Sequence, residues 1–271
     1  MADHDATASR HLRRPCAFGL LGLHALFGLA ALVSVDARAD TVQVAVAANF
    51  MAPMQRIAAE FERATGHAVR LSSGATGKLY AQIVNGAPFE VLLSADDETP
   101  QRLMAQGAAV ANSRFTYAIG RLVLWSPQAG RADGGAAVLH EGRFRHLAIA
   151  SPKTAPYGAA AVQTLKSLGV HEALESKVVQ GENIAQALQF VASGNAELGF
   201  VALAQLRQGD RPLGGSMWLV PAELHAPIRQ DAVLLARARD KPAALALLRF
   251  LQGERGRTIV RESGYELPGP P

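Results

Sequence analysis

Residues 41–203 repeat one local pattern: a short apolar stretch leads through a turn into an amphipathic segment. The apolar stretches are nearly continuous rather than alternating, which is typical of parallel strands covered on both faces. The first amphipathic segment carries Met54, Ile57 and Phe61 at helical spacing, and Gly66 stands at its end. Strands that alternate with helices are joined by right-handed crossovers, so the sequence predicts an α/β fold with mostly parallel sheets.

The pattern occurs in two halves of the chain. A long apolar segment at residues 115–126 has Gly120 in its middle, which predicts a strand that bends there and passes from one lobe into another. A second crossing is predicted near Asp231. We therefore expect two α/β lobes joined by two strand crossovers that form a hinge, with residues 40–119 and 231–271 in lobe 1 and residues 120–230 in lobe 2.

The N-terminal segment has the features of an export signal. Three arginines precede an apolar run at residues 17–35, and Ala37 and Ala39 provide the small side chains that signal peptidase reads. A membrane anchor is the alternative, but His24 interrupts the run. The sequence predicts a signal peptide of residues 1–39, cleaved after Ala39, and thus a periplasmic protein.

Removing the signal from the 271 residues leaves 232 residues without cysteine, enough to bury one or two substantial cores. The whole chain has a net charge of +4, and the signal holds four basic and three acidic residues, which leaves +3. This charge is spread over many short segments, so it argues against nucleic acid or an anionic membrane as a partner. It could mildly favour an anionic ligand.

Four turns that follow predicted strands stand out as candidate binding loops. The clearest is GATGKLY at residues 74–80, a glycine-rich turn into a helix that lacks the spacing of a nucleotide P-loop. In open parallel sheets such turns gather at the carboxyl ends of the strands, and the N–H groups at helix starts attract anions. If the lobes face each other, the four turns would surround a small tetrahedral anion. Their residues are Ala48 and Asn49, Ala75 to Gly77, Pro156 to Gly158, and Asn183 with Ile184.

Each candidate also has a purely structural interpretation. Asn49 and Thr76 could simply cap helices, and Tyr157 could be a core aromatic. Ile184 would contribute only its backbone N–H. Lys78 lies near a turn, as does Lys153, but solvated surface positions are the default for lysine.

Signatures of catalysis are few. The mature chain has no G-x-S-x-G elbow, no cysteine and no histidines at metal-ligand spacing. Asp96 and Asp97 could form a carboxylate pair, although they also suit the start of the next helix. Capture of ferric ion would require clustered tyrosines, and the four tyrosines of the chain are far apart in sequence. We therefore expect no enzyme activity and no cofactor.

Longer stretches of the sequence resemble a known family. The segments VAVAANF, SSGATGKLYAQI, NGAPFEVLLSAD, SPKTAPYG, GENIAQAL and ELGFVAL are similar, in this order, to the periplasmic molybdate-binding proteins of bacterial ABC transporters. The resemblance spans residues 41–267. It implies a type II periplasmic-binding-protein fold that closes on molybdate or tungstate and delivers it, as a monomer, to a membrane permease.

The resemblance also implies the binding residues. Carried over by position, the anion contacts fall on Ala48, Asn49, Thr76, Tyr157 and Ile184. The better-known members have serine in place of Asn49 and alanine in place of Tyr157, and this chain is similar to a second branch that carries the asparagine and the tyrosine.

One further position departs from the better-known members, which have a tyrosine where this chain has Ala202, so the donor set is not identical. The alternative ligands are sulfate, thiosulfate or another tetrahedral oxyanion, and a remote alternative is a secreted hydrolase that uses Asp96 or Asp97.

Overall fold

The computed structural model describes residues 39–207 and 213–269. The predicted signal peptide lies outside these residues except for Ala39. The described chain contains ten strands and ten α-helices, which alternate over most of its length. The strands are β1 (Thr41–Ala47), β2 (Ala68–Gly74), β3 (Val91–Leu93), β4 (Phe115–Gly120), β5 (Leu122–Ser126), β6 (Leu147–Ala150), β7 (Val178–Gly181), β8 (Leu198–Ala202), β9 (Ser216–Leu219) and β10 (Ile228–Leu234).

Seven of the helices lie on predicted amphipathic segments, whereas the short helices α4, α6 and α8 were not predicted. They are α1 (Met51–Thr65), α2 (Thr76–Val84), α3 (Glu98–Ala105), α4 (Ala136–Glu141), α5 (Pro156–Ser167), α6 (His171–Leu174), α7 (Ile184–Ala192), α8 (Leu203–Leu206), α9 (Pro242–Gln252) and α10 (Glu254–Glu262). In α1 the predicted apolar face is buried, and Gly66 ends the helix with a left-handed φ of 74°.

The strands form two five-stranded sheets, which confirms the predicted two-lobed α/β fold. The first sheet has the order β2-β1-β3-β10-β4, and the second has the order β7-β6-β8-β5-β9. In each sheet one strand is antiparallel to its neighbours: β10 runs against β3 and β4, and β5 runs against β8 and β9. Both sheets are therefore mostly parallel, so their carboxyl-end turns collect at one edge.

Each lobe has its own apolar core. β1 contributes Val42, Val44 and Val46 to the first core, together with the inward face of α1 and of α9. The second core contains buried residues of β5, β6 and β8 and of helices α5 and α7. A core in each lobe agrees with the length of the predicted mature chain, which is enough to bury one or two.

The predicted long strand at residues 115–126 consists of two strands in different sheets. β4 ends at Gly120 in the first sheet, and β5 begins at Leu122 in the second, so the chain crosses between the lobes at Arg121. The return crossing leads into β10, whose Ile228 pairs with Gly120 and whose register shifts between Gln230 and Asp231. The predicted lobe boundaries at residues 120 and 231 remain a prediction.

Among the helices of the described residues, none combines the length and the apolar character that a membrane span needs.

Candidate functional site

The four predicted turns meet at one cavity between the lobes. Ala48 and Asn49 follow β1 and Thr76 follows β2, all in the first lobe, whereas Tyr157 and Ile184 follow β6 and β7 in the second. All five residues line the same cavity. None of the described residues that line it carries a formal charge. The five residues predicted from sequence are thus brought together, around a neutral lining.

Helix starts supply the polar groups of this lining. Thr76 and Ile184 are the first residues of α2 and α7, and Tyr157 is the second residue of α5. The first N–H groups of a helix have no partner within the helix, and the N–H groups of these three residues donate to no other described residue. Three positive helix ends therefore converge on the cavity, an arrangement that favours an anion.

The cavity is small. Its volume is about 10 Å³, on a measure where a single water needs about 10–15 Å³. The turns that line it belong to both lobes, so the space between them changes when the lobes move relative to each other. The cavity thus has the polarity for an oxyanion and a size that depends on the separation of the lobes.

The Thr76 hydroxyl accepts one hydrogen bond within the protein and keeps its own proton as a donor. Its oxygen accepts a hydrogen bond from the backbone N–H of Ala95 at 3.0 Å, and Thr76 is buried. A hydroxyl can donate its proton while it accepts. The bond from Ala95 therefore positions the oxygen, and the hydroxyl proton can still be donated.

The Asn49 side chain is engaged inside the protein. Its amide nitrogen donates to Gln230 Oε1 at 2.8 Å and lies 2.9 Å from the Tyr265 hydroxyl, which donates to the Asn49 carbonyl at 2.8 Å. The asparagine is not a helix cap, because no side-chain cap bond is present at this helix start. Both amide hydrogens have partners in the protein, so the first turn faces the cavity with its backbone.

Tyr157 extends from the cavity towards the hinge. Its hydroxyl accepts a hydrogen bond from Gln230 Nε2 at 3.2 Å. Burial raises the pKa of Tyr157 well above its ordinary value, so this phenol stays protonated. The backbone N–H of Tyr157 donates to no other described residue and lies at the start of α5 beside the cavity.

Three of the four tyrosines are neighbours in the structure, although they are dispersed in the sequence. Tyr117 Oη lies 3.1 Å from Gln230 Oε1 and 2.9 Å from the Ser94 carbonyl oxygen. Tyr265 joins the same group through Asn49. Burial raises the pKa of Tyr265 and of Tyr117 as well.

Sequence reasoning did not predict Gln230, Tyr265 and Tyr117, whose side chains form a hydrogen-bonded group that supports the residues lining the cavity. Tyr265 is 216 residues from Asn49 along the chain, so no local spacing connects the two. Gln230 gave one usable signal: with Asp231 it forms a polar pair, directly after Arg229, in a strand whose remaining residues are apolar. Both residues are buried, and buried polar groups need partners.

The charged candidates lie outside the cavity. Asp96 accepts hydrogen bonds from the Ser94 hydroxyl and from the backbone N–H of Thr99 in α3, and burial raises its pKa. These bonds fix the start of α3. Lys78 pairs with Glu182 at 2.9 Å near the cleft surface.

Ala202, one of three positions that depart from the better-known members of the family that the sequence resembles, is buried at the end of β8 and does not line the cavity. Its N–H donates to Gln205 Oε1 at 3.0 Å, and Gln205 Nε2 donates to the Ile184 carbonyl at 3.2 Å. Gln205 therefore links this strand end to the fourth turn.

Two α/β lobes, joined by two crossings and facing each other through helix starts, define a two-lobed solute-binding protein. A family model described as bacterial extracellular solute-binding protein matches residues 42–266, and the chain belongs to this family.

Individual relatives are similar over nearly their whole length. The chain is 57% identical to the molybdate-binding protein ModA of Azotobacter vinelandii over 238 residues, which cover 88% of this chain and 94% of that protein. It is 47% identical to the molybdate-binding protein ModA of Rhodobacter capsulatus, with 91% and 95% covered. The solved structure of an Azotobacter vinelandii periplasmic molybdate-binding protein superposes with a TM-score of 0.82 at 43% identity, covering 84% of this chain and 100% of that one.

Proposed function

We propose that the protein is the exported receptor of an ABC importer and captures molybdate or tungstate between its lobes. The observation that carries the proposal is the meeting of four turns around one uncharged cavity with unpaired helix-start N–H groups. Relatives that are 57% and 47% identical are named molybdate-binding proteins, which favours molybdate among the tetrahedral oxyanions.

The proposed donors are mainly backbone N–H groups. Ala48 and Asn49 contribute through the first turn, Thr76 through its N–H and its hydroxyl, and Tyr157 and Ile184 through their N–H groups. Neutral donors suffice because hydrogen bonds to an ionised acceptor are roughly twice as strong as neutral ones. The Asn49 amide acts indirectly, by holding the first turn against Gln230 and Tyr265.

The same lining suggests how other anions are rejected. Phosphate near neutral pH carries a proton that needs an acceptor, and no carboxylate is among the described residues that line the cavity. Sulfate is smaller, so donors spaced for molybdate cannot all reach it at once. Size and protonation therefore act together in the proposed selectivity.

The proposal includes no catalysis and no cofactor. Asp96 and Asp97, the carboxylates considered for a hydrolase, do not line the cavity of the four turns. A purified protein should leave p-nitrophenyl phosphate and acetate esters intact, and turnover that Asp96→Asn abolishes would favour the hydrolase.

Export and delivery complete the proposed role. The mature chain begins at Asp40 in the periplasm, remains monomeric and passes its anion to a membrane permease. Mass spectrometry of the periplasmic protein tests the cleavage after Ala39. Size-exclusion chromatography with light scattering tests the monomer.

Thermal shift and calorimetry with four anions test the ligand. Stabilisation follows RT ln(1 + [L]/Kd), about 2.7 kcal/mol at a hundredfold excess over Kd. Molybdate and tungstate should raise Tm strongly, and sulfate and phosphate at the same concentration should not. If sulfate raised Tm as much as molybdate, the sulfate-receptor alternative would replace this proposal.

A further inference from the structure

Beside the cavity, the lobes touch through one backbone hydrogen bond. Gly77 is the second residue of α2 in the first lobe, and its N–H donates to the Thr154 carbonyl at 2.9 Å. Thr154 lies in the loop between β6 and α5 of the second lobe. The N–H of Gly77 is therefore not available to an anion, although the residue belongs to the glycine-rich turn.

The absence of a side chain at Gly77 permits this contact. A Cβ at this position would lie 3.2 Å from Thr154 Cα and 3.3 Å from its carbonyl oxygen, tighter than ordinary van der Waals contact. Gly77 lies within α2 and has no left-handed φ, so its own backbone accepts alanine. The atoms within 4 Å that an added Cβ would meet first all belong to Thr154 of the opposite lobe.

The contact lies next to two of the proposed binding turns. Gly77 directly follows Thr76, and Thr154 precedes Tyr157 by three residues. The Gly77 to Thr154 bond therefore fixes the separation of the second and third turns. The adjacent ion pair of Lys78 with Glu182 also joins the lobes, but its side chains are 49% and 65% exposed, and solvent-exposed pairs contribute little.

We propose that Gly77 and Thr154 form a latch, meaning this hydrogen bond and its close contact, that sets how far the lobes close on the anion. The proposal rests on the proposed function. Gly77 is a positioning residue: it touches the opposite lobe rather than the ligand. Because the bond joins opposite lobes, separating the lobes at the second and third turns would break it, so its free energy adds to the binding of any anion that requires closure.

The variant Gly77→Ala tests the latch because its effects in the two states have opposite signs. In the ligand-free protein the Gly77→Ala variant should have a Tm equal to or higher than that of wild type, because alanine is a better helix former than glycine. In the closed form its Cβ pushes Thr154 away, so the Kd for molybdate should rise by about 2- to 10-fold, the range of one weakened inter-lobe hydrogen bond. Gln82→Ala on the exposed side of α2 is the matched control and should leave Kd unchanged.

Calorimetry with molybdate and small-angle scattering supply the readouts. Support requires a weaker Kd, an undiminished ligand-free Tm and a larger radius of gyration at saturating molybdate than wild type shows. An unchanged Kd overturns the proposed latch. A fall in the Tm of the ligand-free protein also overturns it, because the glycine would then be needed for the stability of its own lobe. Both outcomes leave molybdate binding by the wild type intact. If the wild type binds no molybdate, the proposed function fails and the latch fails with it.

Discussion

Gln230 and Tyr157 are joined across the lobes by a buried hydrogen bond, with 3.2 Å from Gln230 Nε2 to the tyrosine hydroxyl. Gln230 lies on β10 of the first sheet, and Tyr157 lies on α5 of the second lobe. The other end of the same amide accepts from Asn49 at 2.8 Å. One side chain thus connects the first and third turns of the cavity from behind.

Replacing Tyr157 by phenylalanine should weaken this connection while keeping the ring. The Nε2 donor of Gln230 would lose its partner in a buried site, which costs about 1–3 kcal/mol. Urea unfolding of the ligand-free protein should show a loss of that size, and the Kd for molybdate should rise. Tyr80→Phe is the control, because the Tyr80 hydroxyl bonds to Gln106 and Arg102 at the surface, and it should change stability by less than about 0.5 kcal/mol. Equal effects of the two variants would contradict the buried link.

Gly120 should be intolerant of alanine for a related reason. A Cβ there would lie 2.2 Å from the Tyr157 hydroxyl and 2.8 Å from Gln230 Nε2, so the hinge would be overpacked. We expect Gly120→Ala to lower the free energy of unfolding by about 1–3 kcal/mol or more. Gly214→Ala, where an added Cβ meets nothing within 4 Å, is the control.

A double mutant separates this contact from a backbone effect. The double mutant Gly120→Ala/Tyr157→Phe lacks the atom that clashes most closely with the added Cβ. Its loss of unfolding free energy should therefore be smaller than the sum of the losses in the two single mutants. Strict additivity in urea unfolding would show that alanine fails at residue 120 for another reason.

Gly120 also shows where sequence reasoning succeeds and where it does not. A glycine inside a long apolar segment predicts a bend where the chain passes between lobes, and in the structure β4 ends at Gly120 while β5 begins at Leu122 in the other sheet. In the structure its φ is not left-handed, and the glycine is required by the tyrosine hydroxyl packed against it. That tyrosine is 37 positions away in sequence, so only the fold could reveal the contact.

The turns themselves were predictable for a physical reason. A strand, a turn and a helix are each specified by local periodicity, and parallel strands place such turns on one edge. The partners of the Asn49 side chain were not predictable, because they come from distant parts of the chain. Gln230 lies on the last strand, β10, and Tyr265 lies in the C-terminal segment. Local patterns thus predict which backbone groups meet, whereas the side chains that support them depend on packing between distant segments.

Thr76 offers a test of a side chain at the cavity. Thr76→Val keeps the shape but removes the acceptor for the Ala95 N–H and the proposed donor to the anion. We expect a loss of about 1–3 kcal/mol in molybdate binding free energy, measured by calorimetry, with a loss of stability from the unpaired Ala95 N–H. Thr76→Ser keeps the hydroxyl and should stay near wild type. If valine and serine bound molybdate equally well, the hydroxyl would have no part in the site.

The pH dependence of stability should include a contribution from Glu197, away from the site. Partial burial alone would raise its pKa, but hydrogen bonds from the His146 N–H and the Arg145 side chain outweigh burial and lower the pKa from 4.5 to about 2. A carboxyl whose pKa is lower in the folded state stabilises the fold above the unfolded pKa, and this stabilisation disappears as the pH falls through the folded pKa. The relevant window therefore runs from about pH 4.5 down to about pH 2.

Glu197→Gln should accordingly be less stable than wild type by about 1–2 kcal/mol at pH 7, a value reduced for screening because Arg145 lies at the surface. The difference should narrow below pH 4.5 and nearly vanish at pH 2, as the wild-type carboxyl becomes protonated. Urea unfolding of both proteins between pH 7 and pH 2 measures this difference. Glu172→Gln, on the exposed surface of α6, controls for the loss of one negative charge. A constant difference across the whole pH range would show that Glu197 acts through packing rather than through its charge.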